Sequence, residues 1–251
     1  MVKHVRFVIL AFLLAVIALP AAAAERVDEL PEIRSAMSAR FDMALVLDDM
    51  PFIVGKGEIV GANRAHFVLR AMSINGQFDS TLEVVLYDGR IYTREDASTQ
   101  WYVESALDLP VEDPTSVPSA DVSNAPISSI GTKTIAGTPT NQYQVWIGAD
   151  DGSTDHIALD FFIGQQINYL YQNQISAFLT DEELGQLKLE MVQRLYDYDD
   201  PSIMVGPPAN AIERPAMTGL AEIRNGGVLS TLAAPLGTAE LRKLVAERLG
   251  R

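Results

Sequence analysis

The chain has 251 residues, 48% of them hydrophobic, with a formal net charge of −14 and no cysteine. This length and composition are sufficient for a globular core. The lack of cysteine excludes disulfides and lipidation of an N-terminal cysteine, and the acidic balance argues against a nucleic-acid partner.

Residues 1–24 have the order of a secretory signal peptide. Lys3 and Arg6 precede an apolar run over residues 7–19, and small residues end the segment at Ala24. The apolar run is shorter than the ~20 residues of a membrane span, although an uncleaved anchor is the alternative interpretation. We expect cleavage near Ala24, which lowers the formal charge from −14 to −16. The mature protein is expected to be soluble and either secreted or periplasmic.

An early helix is predicted over residues 28–40. Pro31 suits the first turn of a helix, and Leu30, Ile33 and Met37 recur at helical spacing. We expect this helix to cover part of the sheet that follows it.

From Phe41 onward the hydrophobic period is two, which is typical of strands with one buried face. Turn signals at Asn75-Gly76, Asp88-Gly89 and Asp150-Asp151-Gly152 separate these strands, because such residues tolerate the positive φ angles of tight hairpins. Strands are predicted at residues 41–47, 57–62, 65–73, 81–87, 90–94, 100–105, 132–136, 142–148, 156–163 and 167–171.

Three segments depart from this alternation. Residues 108–127 carry four prolines among polar residues and are predicted to form a long surface loop. Residues 180–195 fit a helix or a strand, and the neighbouring strands favour the second. Beyond residue 208 the alternation ends, and residues 238–249 are predicted to form a terminal helix.

These elements predict a mainly β fold with short helices (α+β), in which about 8–11 antiparallel strands form one strongly curved sheet. Its inward apolar residues have two interpretations, as the lining of an acyl-chain cavity or as a fully packed core. They are Met43, Leu45, Phe67, Leu69, Leu86, Leu159, Phe161 and Leu189. Trp101, Trp146 and the tyrosines at 169 and 171 are candidate residues for the rim of such a cavity.

Four motifs, by their order and spacing, resemble the LolA-like lipoprotein-carrier superfamily, especially its LppX/LprG-type lipid-binding branch. They are Gly55-Lys56-Gly57-Glu58-Ile59, then Tyr87-Asp88-Gly89-Arg90-Ile91-Tyr92 with Trp101-Tyr102, then residues 130–138 with Asn141-Gln142-Tyr143, and finally residues 196–201 closed by Pro207-Pro208. The resemblance covers roughly residues 28–208.

The resemblance implies a half-open barrel, lidded by helices, that carries acyl chains across an aqueous compartment. With the signal peptide predicted at 1–24, the expected domains are a lipid-carrier domain at 25–208 and an extension at 209–251 that includes the terminal helix. The chain departs from lipidated members of the branch, which begin at a cysteine, and its proline-rich loop stands where a helical insert is usual.

The sequence therefore predicts a secreted, non-enzymatic carrier or sensor of lipids or lipidated molecules, without a cofactor. The expected partner is a lipid or acylated molecule, with a membrane or membrane protein as a further candidate and no nucleic acid. The protein is expected to be a monomer. The alternative is an exported protein-interaction module whose barrel is fully packed and has no ligand cavity.

No catalytic or metal site is predicted. A Gly-x-Ser-x-Gly motif is missing, and His66 and His156 lack the spacing of metal ligands. The acidic residues at 150–155 fit a hairpin turn better than a calcium loop, and those at 197–200 fit a solvated strand end. A converging pair of carboxylates, as in glycosidases, is the remaining enzymatic alternative.

Overall fold

The computed structural model describes residues 30–72, 78–95, 98–105, 127–148, 156–181 and 185–214. These residues form one sheet of twelve strands. The strands are β1 (Ser38–Leu47), β2 (Met50–Val60), β3 (Arg64–Met72), β4 (Phe78–Tyr87), β5 (Arg90–Glu95), β6 (Tyr102–Ser105), β7 (Ile127–Ile135), β8 (Thr138–Gly148), β9 (His156–Gly164), β10 (Leu170–Asp181), β11 (Gly185–Tyr196) and β12 (Ile212–Glu213). The predicted turns at 75–76 and 150–152, the loop as far as residue 126, and the terminal helix lie outside the described residues.

The sheet is built from two series of sequential strands joined at β1. This strand pairs with β2 on one side and with β11 on the other, which gives the order β12-β6-β5-β4-β3-β2-β1-β11-β10-β9-β8-β7. All pairs are antiparallel except β12 with β6. The predicted mainly β fold is thus confirmed as one large, curved, open sheet, with twelve strands rather than about 8–11.

The predicted strands all overlap strands of the structure, including the ambiguous segment at 180–195, most of which is β11. Several boundaries differ from the prediction, and β2, for example, begins at Met50 and includes Pro51. Asp48 and Asp49 alone form the turn before it, with φ angles of 44° and 66°. Aspartate tolerates this left-handed conformation better than most residues, so a two-residue turn is sufficient.

The helix predicted over residues 28–40 is wrong for the described part of that range. Residues 30–37 have no regular secondary structure, and β1 begins at Ser38. Arg40 pairs with Glu58 of β2 and with Tyr196 of β11. Because a strand with two neighbours satisfies its backbone hydrogen bonds within the sheet, this pairing outweighs the helical spacing of the sequence. The described residues contain no helix, so no helical lid is seen in them.

Two glycines of β2 allow β3 to approach closely. A Cβ atom at Gly57 would lie 2.4 Å from the carbonyl oxygen of His66 and 2.5 Å from the Cβ of Phe67. A Cβ atom at Gly55 would lie 2.5 Å from Cδ2 of Leu69. Glycines inside strands commonly mark such close approaches and sharp bends. The Gly55–Ile59 motif therefore has a structural reason at this place in the sheet.

The two faces of the sheet differ in chemistry. Residues that pair across the strands share a face, and one face, here called the apolar face, carries a continuous buried hydrophobic cluster. This cluster runs from Ile91 in β5, through Phe41 in β1, to Val145 in β8. The opposite face, here called the polar face, carries most of the charged residues and one smaller cluster of Val85, Tyr92 and Val103.

Candidate ligand-binding face

The structure places all eight predicted apolar residues on the apolar face. Leu45 pairs with Met191 of β11, which pairs with Ile175 of β10, which in turn pairs with Leu159 of β9. On the other side of β1, Phe67 and Leu69 of β3 pair with Gly57 and Gly55 of β2. The same pairing brings Met43, Leu86, Phe161 and Leu189 to this face. That they line a cavity stays a prediction.

Every lysine and arginine in the described strands lies on the polar face. The strand register assigns to this face Arg40, Lys56, Arg64, Arg70, Arg90, Arg94, Lys133, Lys188 and Arg194. Lys133, for example, lies over the ring of Phe162 on the polar face, at 5.1 Å from its centroid. No strand cation of the described residues is therefore placed to neutralise an anion on the apolar face.

One polar pair interrupts the apolar face at its centre. Asn173 of β10 pairs in register with Phe161 of β9 and Gln193 of β11, and Gln193 pairs with Met43 of β1. Asn173 is 3% exposed and Gln193 is 8% exposed. The side-chain nitrogen of Asn173 donates a hydrogen bond of 3.0 Å to Oε1 of Gln193. This pair is not among the residues predicted from the sequence, although the polar run at residues 172–174 stands out inside a strand.

Residues 30–37 lie against one end of the apolar face. Leu30 and Ile33 pack against the hydrophobic cluster, as does Tyr198 beyond β11. The backbone N–H of Arg34 donates to the carbonyl oxygen of Asn168 at 2.8 Å. A surface pocket lies between residues 32–35 and residues 166–168. The segment therefore lies at the margin of the apolar face and borders this surface pocket.

Asp199 fixes the C-terminal end of this segment. Its Oδ1 accepts a 2.6 Å hydrogen bond from the backbone N–H of Met37, and its Oδ2 accepts a 2.9 Å hydrogen bond from the hydroxyl of Tyr169. Burial opposes ionisation of the carboxyl group, but these hydrogen bonds outweigh it and lower the pKa of Asp199. Tyr198 stacks on Tyr169 with ring centroids 4.2 Å apart and donates to the carbonyl oxygen of Leu170.

Arg40 joins the same region to β2 on the polar face. Its guanidinium group contacts Glu58 at 3.1 Å, Asp197 at 2.9 Å and Asp200 at 3.1 Å. The hydrogen bond that Arg40 donates to Asp197, followed by the one that it donates to Glu58, raises the pKa of Arg40. The Tyr196–Pro201 motif thus connects the turn after β11 to Arg40 near the start of β1. Its aspartates are bonded to basic and hydroxyl groups.

Both tryptophans lie away from the apolar face, which corrects their predicted place at a cavity rim. Trp101 packs with the polar-face cluster of Val85, Tyr92 and Val103. Trp146 is 46% exposed and stacks on His156, which stacks on Phe178. Adjacent residues of a strand point to opposite faces, so Trp146 lies on the polar face because Val145 lies on the apolar face. The alternation in the sequence therefore indicates the place of Trp146.

The two histidines of the described residues, His66 and His156, are also on the polar face. Nε2 of His66 lies 2.7 Å from Oε1 of Glu83, and Nε of Arg94 donates to the other oxygen of that carboxylate at 2.9 Å. Burial opposes ionisation of Glu83, but these hydrogen bonds outweigh it and lower the pKa of Glu83. Within the described ranges no group of three or more His, Cys, Asp or Glu side chains could hold a metal ion. In the same ranges no helix is long and apolar enough to cross a membrane.

Comparison with solved structures finds matches of low sequence identity. The lipoprotein LppX of Mycobacterium tuberculosis is 16% identical, with 68% of this chain and 90% of that chain covered and a TM-score of 0.47. LprF of Mycobacterium bovis is 14% identical, with 70% and 90% covered and a TM-score of 0.44. A LolA superfamily protein of Nitrosomonas europaea is 11% identical, with 72% and 90% covered and a TM-score of 0.23.

One of these solved structures, that from Nitrosomonas europaea, is a member of the LolA superfamily that the sequence motifs resemble. No protein-family model matches the sequence, and no curated protein matches it.

Proposed function

We propose that the protein is an exported, non-enzymatic carrier or sensor of lipids that holds an acyl chain on the apolar face. The observation that supports this most strongly is the separation of charge across the sheet. Hydrophobic side chains cover the apolar face continuously from β5, across β1, to β8. All the lysines and arginines of the described strands project from the other face. A face without strand cations suits a hydrocarbon chain better than an anionic substrate.

Apolar burial supplies enough free energy for useful affinity. Each methylene removed from water contributes about 0.8 kcal/mol. Burial of about ten methylenes would give ~8 kcal/mol, which corresponds to a dissociation constant near 1 μM before the cost of ordering the ligand. No covalent chemistry is needed, which agrees with a non-enzymatic function.

Residues 30–37 are the proposed gate for the acyl chain. This segment contributes Leu30 and Ile33 to the apolar cluster, yet it is not part of any strand. Moving it would uncover one end of the apolar face without breaking a strand pair. The ligand would then enter beside the surface pocket between this segment and residues 166–168.

The second candidate function is an exported interaction module with a packed interior. The observation that favours it is the deep burial of the apolar face: Leu45 and Leu69 are each 1% exposed and Leu159 is 2% exposed. Such values fit a filled core as well as a closed binding site. On this alternative, a protein partner would bind the exterior.

Native mass spectrometry of the mature protein, together with uptake of a fluorescent acyl probe, separates the two functions. A carrier retains lipid or takes up the probe, whereas a module gives a clean apo mass and no uptake. Met43 and Ala44 are neighbours in β1 on opposite faces, and they provide a matched pair of variants. Met43→Asp is expected to reduce uptake at least tenfold, and Ala44→Asp less than twofold. Equal effects in two folded variants would refute binding on the apolar face.

A further inference from the structure

Asn173 has an unsatisfied hydrogen-bond acceptor inside the apolar face. Among the buried side-chain oxygen and nitrogen atoms of the described residues, Oδ1 of Asn173 lacks a hydrogen-bond partner. Its own amide nitrogen is already used in the bond to Gln193. A buried carbonyl oxygen without a donor destabilises the folded protein, so native proteins rarely retain one without a reason.

The described side chains around Asn173 provide few hydrogen-bonding groups besides the amide of Gln193. Its register neighbours are Phe161 on β9 and Gln193 on β11, and the next residue on the same face of its own strand is Ile175. Phe161 and Ile175 have no side-chain donor, and no lysine or arginine of the described strands shares this face. Tyr143, which pairs with Phe161 on the side away from Asn173, has a hydroxyl group that makes no hydrogen bond to Oδ1. The missing donor is therefore expected from something that enters the face.

Because Oδ1 of Asn173 can only accept a hydrogen bond, its chemistry indicates the kind of ligand that would bind there. A carbonyl oxygen accepts a hydrogen bond and repels other acceptors. An ionised fatty acid or a phosphodiester carries acceptors only at the charged group, and it would also need a cation on the same face. A hydroxyl group or an amide N–H next to an acyl chain supplies the donor and needs no counter-charge.

We propose that Asn173 Oδ1 is the polar contact of the ligand site and accepts a hydrogen bond from the hydroxyl or amide N–H of a neutral acyl lipid. This inference rests on the proposed lipid-binding function and specifies its ligand class. Gln193 acts as a positioning residue, because its Oε1 holds the Asn173 side-chain nitrogen and so directs Oδ1 away from β11.

Four ligands with the same palmitoyl chain test the assignment by displacement of a fluorescent acyl probe from the mature protein. Monopalmitoylglycerol has hydroxyl donors, palmitamide has amide N–H donors, methyl palmitate has none, and palmitate is anionic. Monopalmitoylglycerol or palmitamide, or both, should bind about tenfold or more tightly than methyl palmitate, as one added hydrogen bond predicts. Their relative affinities separate the hydroxyl source from the amide source.

Asn173→Leu should remove this preference while leaving methyl palmitate bound. Gln174→Leu is the matched control, because Gln174 is the next residue on the polar face, and it should keep the preference. If Asn173→Leu does not fold, the ligand comparison on the unaltered protein still decides.

Equal binding of methyl palmitate and both donor ligands, as an internal water on Asn173 would produce, overturns the assignment. Tighter binding of palmitate also overturns it. In both cases the lipid-binding function stands. Failure of all four ligands to bind refutes the proposed function itself and this inference with it.

Discussion

The backbone N–H of Met37 donates a 2.6 Å hydrogen bond to the carboxylate of Asp199, across 162 residues of sequence. This bond ties the end of the segment at residues 30–37 to the turn that follows β11. The hydroxyl of Tyr169 donates to the second oxygen of the same carboxylate at 2.9 Å. One side chain thus joins three separate parts of the chain at the margin of the apolar face.

Asp199→Ala should loosen residues 30–37. It removes the acceptor for the Met37 amide, and a lost hydrogen bond of this kind is expected to speed local opening about five- to tenfold. Hydrogen–deuterium exchange of peptides that cover residues 30–37 measures the effect. Asp197→Ala is the control, because Asp197 has a similar φ of 50° but bonds Arg40 instead. Equal exchange in the two variants would show that Asp199 does not hold the segment.

Acid should destabilise the protein through three carboxylates. The pKa of Asp200 is lowered by the Ser202 backbone N–H, and those of Glu83 and Asp199 are lowered by hydrogen bonds that outweigh burial. A carboxylate with a lowered folded-state pKa stabilises fully above its unfolded value, about 4. This stabilisation is lost as the pH falls through the folded-state pKa.

Urea unfolding between about pH 2 and pH 7 tests this expectation. The midpoint should be nearly constant above about pH 5 and should fall steadily below pH 4. The double variant Glu83→Gln, Asp199→Asn should give a shallower fall, because two of the three titrating groups are removed. Parallel curves for the variant and the unaltered protein would contradict these assignments.

Gly57→Ala should destabilise the sheet by about 1–3 kcal/mol, the usual cost of forcing extra atoms into a packed site. The new Cβ would lie 2.4 Å from the backbone oxygen of His66, which cannot move without shifting β3. Gly206→Ala is the control, since no atom lies within 4 Å of its added Cβ, and it should change stability by less than about 0.5 kcal/mol. Denaturant midpoints of the two variants decide, and equal values would mean that β2 and β3 are more widely separated.

The paired substitution Asn173→Leu, Gln193→Met should stabilise the ligand-free protein. It replaces a half-satisfied polar pair with apolar groups on an apolar face, and an increase of about 1–2 kcal/mol is expected. Gln174→Leu on the polar face should instead lower stability, because Gln174 donates to Glu190 at 2.8 Å. A loss of stability in the paired variant would mean that the two amides serve the folded core.

The alternation of hydrophobic residues allowed the strands and the apolar face to be predicted. A period of two assigns a side chain to a face unambiguously, which is why Met43 and Leu159 lie on the same side although they are far apart in sequence. The order of the strands was not readable in this way. It depends on the pairing of β1 with β11, and no local pattern in either strand identifies its partner.

The incorrect helix at residues 28–40 and the unpredicted Asn173–Gln193 pair have one cause, because both depend on strand partners that are distant in sequence. The spacing of Leu30, Ile33 and Met37 fits a helix when read locally, but the adjoining residues gain two strand partners that the local pattern does not reveal. The polar run at 172–174 was visible, but only the register shows that Asn173 meets Gln193. Trp146, a candidate residue for the cavity rim, lies on the polar face, and the alternation with its neighbour Val145 indicates that place.

The margins of the sheet carry a consequence for the behaviour of the protein at high concentration. An open sheet has two bare edges that can recruit further strands from other copies. Here β12 is only two residues long, while β7 has a bulge between Ser129 and Gly131 and carries Lys133. Short length, irregular backbone and a lysine all discourage edge-to-edge polymerisation. Within the part of the chain that the structure describes, both edge strands therefore carry features that oppose the addition of a strand from another copy.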